Sequence, residues 1–137
     1  TPQARAEAHY AEARAERALD TVGLGDAADV LAHELRGNAQ RRLMIATALA
    51  AEPRVLLLDE PSAGADRGEV DVLADLVGNL RESGLTVVLV EHNLRLVRRV
   101  ADSVTVLAAG RSIAEGSVAE VAEDEAVLQA YLGGHRF

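Results

Sequence analysis

The sequence predicts an α/β fold, a parallel sheet core preceded by an all-helical segment, and three observations carry that reading. Two runs, Val55-Leu56-Leu57-Leu58 and Thr86-Val87-Val88-Leu89-Val90, have the apolar pattern of strands covered on both faces. Residues 67–82 between them hold a helical pattern, so strand, helix and strand form a βαβ unit whose strands run parallel. Upstream, residues 3–51 offer helical stretches and no comparable apolar run. The expected organisation is a helical subdomain over 1–52, an α/β core over 53–116 and a helical tail over 117–137.

Taken in order, residues 3–21 are rich in Ala, Glu and Arg and read as one helix stopped by Gly23 and Gly25. A second short helical stretch is expected over 27–34, ending near the polar cluster Arg36-Gly37-Asn38. Asn38 is expected to cap a helix over 39–51 that Pro53 closes. Asp66 with Glu69 has the reciprocal spacing of a capping box, and Gly84 ends the helix it opens. Asn93 is expected to cap a short helix to about Val100. A third strand follows over 103–108, and Gly110 turns the chain into a short fourth one over 112–114. Ser117 with Glu120 repeats the capping-box spacing and opens a tail ending at Gly133.

Composition narrows the function classes. At 137 residues the chain amounts to one domain at most. Its aromatic residues are Tyr10, Tyr131 and Phe137, so the core must be built from Val, Leu, Ile and Ala. A formal net charge of −8 argues against nucleic acid as a partner, because neutralising phosphates needs a basic surface. Without cysteine there is no disulfide framework, thiolate chemistry or zinc–sulfur site. Every basic residue is arginine; the absence of lysine excludes Schiff-base chemistry and any lysine-bearing phosphate loop. Apolar runs such as 55–58 and 104–109 fall far short of the roughly 18–20 residues that span a bilayer.

The strongest local signal is the run 55–58 followed by Asp59-Glu60-Pro61. A strand ending in two adjacent acids sets both carboxylates at its C-terminal edge, where ligands bind in open α/β sheets. Two neighbouring anions are costly there unless a cation or a reacting water uses them. One suits Mg²⁺, which takes one or two carboxylates plus water and phosphate oxygens. The other is suited to orient and deprotonate an attacking water. The plainer alternative is a polar turn whose acids merely face solvent. His9, His33 and His135 have no constellation around them and read as surface residues, as does the pair Arg98-Arg99.

The surrounding segments decide between these. Leu35-Arg36-Gly37-Asn38-Ala39-Gln40 followed by Arg41-Arg42 stands upstream of the acids, and Ser62-Ala63-Gly64-Ala65-Asp66 follows them. Val90-Glu91-His92-Asn93 closes the next strand, and Gly110-Arg111-Ser112-Ile113-Ala114-Glu115-Gly116 comes after the third. In this order and spacing they resemble the signature loop, D-loop, switch-histidine segment and C-terminal hairpin of ABC transporter ATPases, with 55–60 as the Walker B segment. The resemblance covers nearly the whole chain, is nearest to the branched-chain amino-acid importer type, and implies a partial P-loop NTPase fold of the ABC type.

That resemblance implies specific roles. ATP and Mg²⁺ are the cofactors: Asp59 holds the metal, Glu60 is the general base and His92 contacts the γ-phosphate. Leu35, Arg36, Gly37, Asn38, Ala39 and Gln40 present backbone N–H groups to a nucleotide held by a second ATPase subunit, and Asp66 sits at the interface between the two. The other partners are transmembrane permease subunits, with the chain cytoplasmic and peripheral on the inner face of the cell membrane. The implied function is the ATP-hydrolysis half of a nucleotide-binding subunit powering solute transport, amino-acid import first. The alternative is a catalytically silent or split dimerisation module.

Two departures from the family pattern shape these expectations. No Gly-x-x-x-x-Gly-Lys-Ser/Thr motif occurs, so the P-loop strand is missing and the chain alone is expected to be inactive. In the signature loop the family's Ser is Arg36 and its second Gly is Asn38. A hydroxyl donor is thereby exchanged for a guanidinium and side-chain bulk is added, which is expected to alter the composite site. The family's P-loop strand would lie between the strands at 86–91 and 103–108, so both are expected to carry open edges.

Overall fold

The computed structural model describes residues 1–133; His135 lies outside the described residues. The chain divides into two compact units, Thr1–His92 and the residues from Asn93 onward.

The first unit opens with helix α1 (Pro2–Thr21), whose N-cap Thr1 hydroxyl accepts from the Ala4 N–H and whose first residue is proline. Residues 1–12 are exposed along their whole length, and burial begins only at Ala18, Val22 and Leu24. What fixes α1 is an anchor at the turn after the next helix. Glu52, held at a left-handed φ of 50°, receives the Tyr10 hydroxyl at 3.1 Å and Arg17 at 3.2 Å, with Arg14 beside it. The Tyr10 hydrogen bond, aided by both arginines and opposed by partial desolvation, keeps the Glu52 carboxyl below the usual glutamate range.

A 3₁₀ turn over Gly25–Ala27 and further turns follow, where a short helix over 27–34 was expected. Val30 and Leu31 both face solvent, so that stretch lacks the buried face a short helix needs. Helix α2 (Gly37–Leu49) buries Ile45 and Ala46 and packs on α1. Its N-cap is Arg36, without a side-chain capping bond, and not the expected Asn38. Gly37 makes the earlier start feasible: its φ of 38° is open to a residue without Cβ.

Strand β1 (Val55–Asp59), helix α3 (Arg67–Glu82) and strand β2 (Thr86–Val90) form the βαβ unit, with β1 and β2 parallel and in register from Val55↔Thr86 to Asp59↔Val90. Asp66 accepts from the Glu69 N–H at 2.9 Å while Glu69 accepts from the Asp66 N–H at 3.0 Å, which completes the expected capping box. One face of α3, including Val70, Leu73, Val77 and Leu80, is buried, and the helix packs on β2. Each such side chain contributes roughly 1.5–3 kcal/mol by leaving water.

Coverage of β1 and β2 on both faces does not hold. Leu56 and Leu58 are buried, but Val55, Leu57, Val88 and Val90 are exposed, Leu57 by 74%. Among the described residues nothing covers that second face, and β2 pairs with β1 alone.

In the second unit, the Asn93 side chain caps helix α4 (Leu94–Val100), in which Leu96 is fully buried. Strands β3 (Val104–Ala108) and β4 (Arg111–Gly116) form an antiparallel hairpin with an irregularity at Val106/Leu107. The helical tail is two helices, α5 (Val118–Glu123) and α6 (Glu125–Gly133), both packed on β4. Asp124 divides them by turning its carboxylate to the Ala126 and Val127 N–H groups. The Ser117–Glu120 capping box opens α5, and its hydrogen bonds hold the Glu120 carboxyl below its ordinary range.

Candidate functional site

Because β1 and β2 are in register, they end at one level, and the residues beyond them meet. Asp59 is the last residue of β1, opposite Val90. The Glu60 N–H continues the pairing by donating to the Val90 carbonyl at 2.8 Å. Glu60 is also held at a positive φ of 45°, an uncommon and strained conformation for a residue bearing a Cβ. His92 stands two residues past the end of β2, with Nδ1 at 3.6 Å from Glu60 Oε1. Side-chain exposures of 70% for His92 and 54% for Glu60 leave the pair open to water. Asp59 is likewise exposed.

The expected phosphate-facing residues lie at the start of α2. Leu35 is half-buried, Arg36 exposed, and the Ala39 N–H returns to the Arg36 carbonyl at 2.8 Å. The Gln40 side-chain amide donates to the Ala32 carbonyl at 3.4 Å. A Cβ at Gly37 would stand 3.8 Å from a Glu69 carboxylate oxygen, so the start of α2 lies beside the start of α3 and its cap Asp66. Arg41 and Arg42 follow on α2. They cap backbone carbonyls: Arg41 donates to Ala63 at 2.7 Å, and Arg42 donates to Val22 at 2.8 Å and Gly23 at 3.1 Å.

One residue was not singled out from the sequence. Glu91 is half-buried, and its two carboxylate oxygens accept the Ser62 N–H at 2.8 Å and the His92 N–H at 3.1 Å. Ser62 itself is buried. The available signal was an acid between the strand and the histidine, a place where a plain strand end needs no charge.

Chemically, the donor set suits a hard cation shared with a phosphate. Among the described residues no group of three or more His, Cys, Asp or Glu side chains is placed to hold a metal alone. A single strand-end carboxylate such as Asp59 is what Mg²⁺ uses when phosphate oxygens and waters complete its shell. Among the same residues no helix is long and apolar enough to cross a membrane.

Comparison with known proteins bears on this arrangement. Residues 1–63 match the ABC transporter family model, and residues 111–136 match that of the branched-chain amino acid ATP-binding cassette transporter. The cobalt import ATP-binding protein CbiO of Rhodobacter capsulatus is 42% identical over 118 residues, 86% of this chain and 42% of that protein. The high-affinity branched-chain amino acid transport ATP-binding protein BraF of Pseudomonas aeruginosa is 37% identical over 134 residues, 97% of this chain and 52% of that protein. Among solved structures, the ADP conformation of MJ1267, an ATP-binding cassette of an ABC transporter, superposes with a TM-score of 0.81 at 31% identity, over 88% of this chain and 49% of that one. The chain thus spans about half the length of the curated relatives it matches.

Proposed function

From the premise that this chain has the fold of part of an ABC-type ATP-binding cassette, we propose that it supplies the hydrolytic side of a nucleotide-binding subunit that powers solute transport. The observation that carries this reading is the meeting of Glu60 and His92, 3.6 Å apart, at the flush tips of two parallel strands beside Asp59. Glu60 takes the proton of the water that attacks the γ-phosphate, and general-base assistance of this kind contributes roughly 10²–10⁴-fold. His92 donates from its ring to the γ-phosphate and, standing against Glu60, reports the phosphate's presence to the base. Asp59 would hold Mg²⁺, which when bound offsets charge on the phosphate oxygens. The N-terminal turn of α2, residues 35–40, faces the phosphate of a second ATPase subunit, with the Arg36 guanidinium in place of a hydroxyl. Asp66 belongs to the same subunit interface.

Amino-acid import is the finer reading, supported by the match of residues 111–136 and the similarity to BraF. The similarity to CbiO, a cobalt importer's protein, makes solute identity a separate question. Permease subunits would recruit the complete cassette to the inner face of the cell membrane. The chain alone is expected to show no turnover, because its sequence has no lysine and so no Gly-x-x-x-x-Gly-Lys-Ser/Thr loop to cradle the β- and γ-phosphates.

The test is ATP hydrolysis by the complete subunit, this chain together with its P-loop half. Glu60→Gln is expected to lower turnover about 10²-fold or more while ATP binding persists. Turnover unaffected by that change sinks the reading. The altered signature, Arg36 and Asn38, favours a second one: a subunit that dimerises and binds ATP but shows no turnover even before mutation is the silent module.

A further inference from the structure

We propose that Glu91 is the positioning residue of the Glu60–His92 pair, an inference that rests on the function proposed above. Its carboxylate is a clasp between the two segments that bring base and histidine together. One oxygen holds the Ser62 N–H, two residues after Glu60, and the other holds the N–H of His92. Ser62 is 5% exposed, and a buried N–H left without an acceptor costs about as much as a lost hydrogen bond. A carboxylate is the strong form of that acceptor.

The need for the clasp follows from how the segment after β1 is attached. Two of its hydrogen bonds, Ala63 N–H to the Glu60 carbonyl and Ala65 N–H to the Ser62 carbonyl, are internal turns that move with it. Arg41 grips the Ala63 carbonyl from α2, and the Glu60 N–H is tied to Val90. Glu91 adds a side-chain tie from this segment to the histidine side, one residue beyond the backbone tie at Val90. Between Glu60 and Ser62 stands Pro61, whose ring fixes its own φ, so holding Ser62 restricts the strained backbone of Glu60 as well. A strained conformation persists only while its surroundings over-determine it. With the clasp gone, Glu60 relaxes and the carboxylate–imidazole geometry is lost, although neither side chain has been touched. Glu91 needs no contact with nucleotide to do this.

The test uses the complete subunit with Glu91→Ala and the milder Glu91→Gln, whose amide keeps one acceptor oxygen and turns a donor toward the other N–H. Both are expected to lower kcat about tenfold or more, Ala further than Gln, with KM for ATP within about twofold, because small misplacements of reacting groups cost rate and not affinity. Amide hydrogen exchange should quicken at Ser62 and His92 while the β1–β2 ladder keeps its protection. In a Glu60→Gln background, Glu91→Ala should bring little further loss. Turnover dependent on Glu60 yet unchanged by both Glu91 variants overturns the clasp alone. Loss of ladder protection in Glu91→Gln also overturns it, by making the residue a general stabiliser. Turnover independent of Glu60 overturns the parent reading, and the clasp as a positioning device with it.

Discussion

The described residues contain two sheets of two strands, and they solve the problem of being small in different ways. The β3–β4 hairpin joins neighbouring strands through a tight turn at Ala109 and Gly110, and two short helices pack on β4. Its contacts are local in sequence. The β1–β2 pair is parallel, so its strands can be joined only by a long crossover, here α3. That crossover covers one face and leaves Val55, Leu57, Val88 and Val90 in solvent. The proposed site sits on the second design, where parallel strands bring two C-terminal tips to one level. The arrangement that brings the proposed site together is also the one whose second face is bare among the described residues.

The largest effect that separates the two sheets is expected from core truncation. Leu56→Ala, on the buried face of β1, should destabilise the first unit by about 3 kcal/mol, whereas Leu107→Ala on the exposed side of β3 should stay within about 0.5 kcal/mol. Denaturant unfolding measures both, and equal losses would break the contrast. On the bare face of β1, Leu57→Thr should leave stability nearly unchanged but reduce self-association of the isolated chain in light scattering. Unchanged association would mean that face is not a sticky surface. The two capping boxes should behave alike despite their different settings: Asp66→Ala and Ser117→Ala are each expected to cost about 1 kcal/mol, read as faster exchange in the first turn of α3 and α5. The smallest effect is acidic. A carboxyl held below its ordinary range in the folded state adds stability above that range and loses it as pH falls through the depressed value. Glu52 therefore contributes at neutral pH and stops contributing below the usual glutamate range; Tyr10→Phe should flatten that part of the stability–pH curve.

What could be read from the sequence was what is decided locally. Both capping boxes, the α3 crossover and the parallel order of β1 and β2 follow from residue spacing within a few turns. The start of α2 was misjudged because Asn38 is the better cap by residue type, while Gly37 allowed an earlier entry that propensity does not register. The break within the helical tail was not legible, because Asp124 is an ordinary residue until its side chain folds onto the Ala126 and Val127 N–H groups. At the site, the placement of Asp59, Glu60 and His92 at one edge followed from strand ends and parallel order. Glu91 was not legible, since the contact that singles it out is a hydrogen bond to a residue 29 positions earlier. The exposed stripe escaped for a similar reason: an apolar run announces affinity for cover, not whether cover is supplied.

The flush register of β1 and β2 also sets where this chain can change length. A residue gained or lost inside either strand would shift its side chains to the opposite face and carry an acid or the histidine segment out of level. One gained between Ser83 and Leu85, past the end of α3, changes only a turn, with Gly84 at a φ of 91° and open space where a Cβ would stand. Natural variation by insertion and deletion should therefore gather at that turn and spare the strands, a pattern that a collection of related sequences would display as gaps.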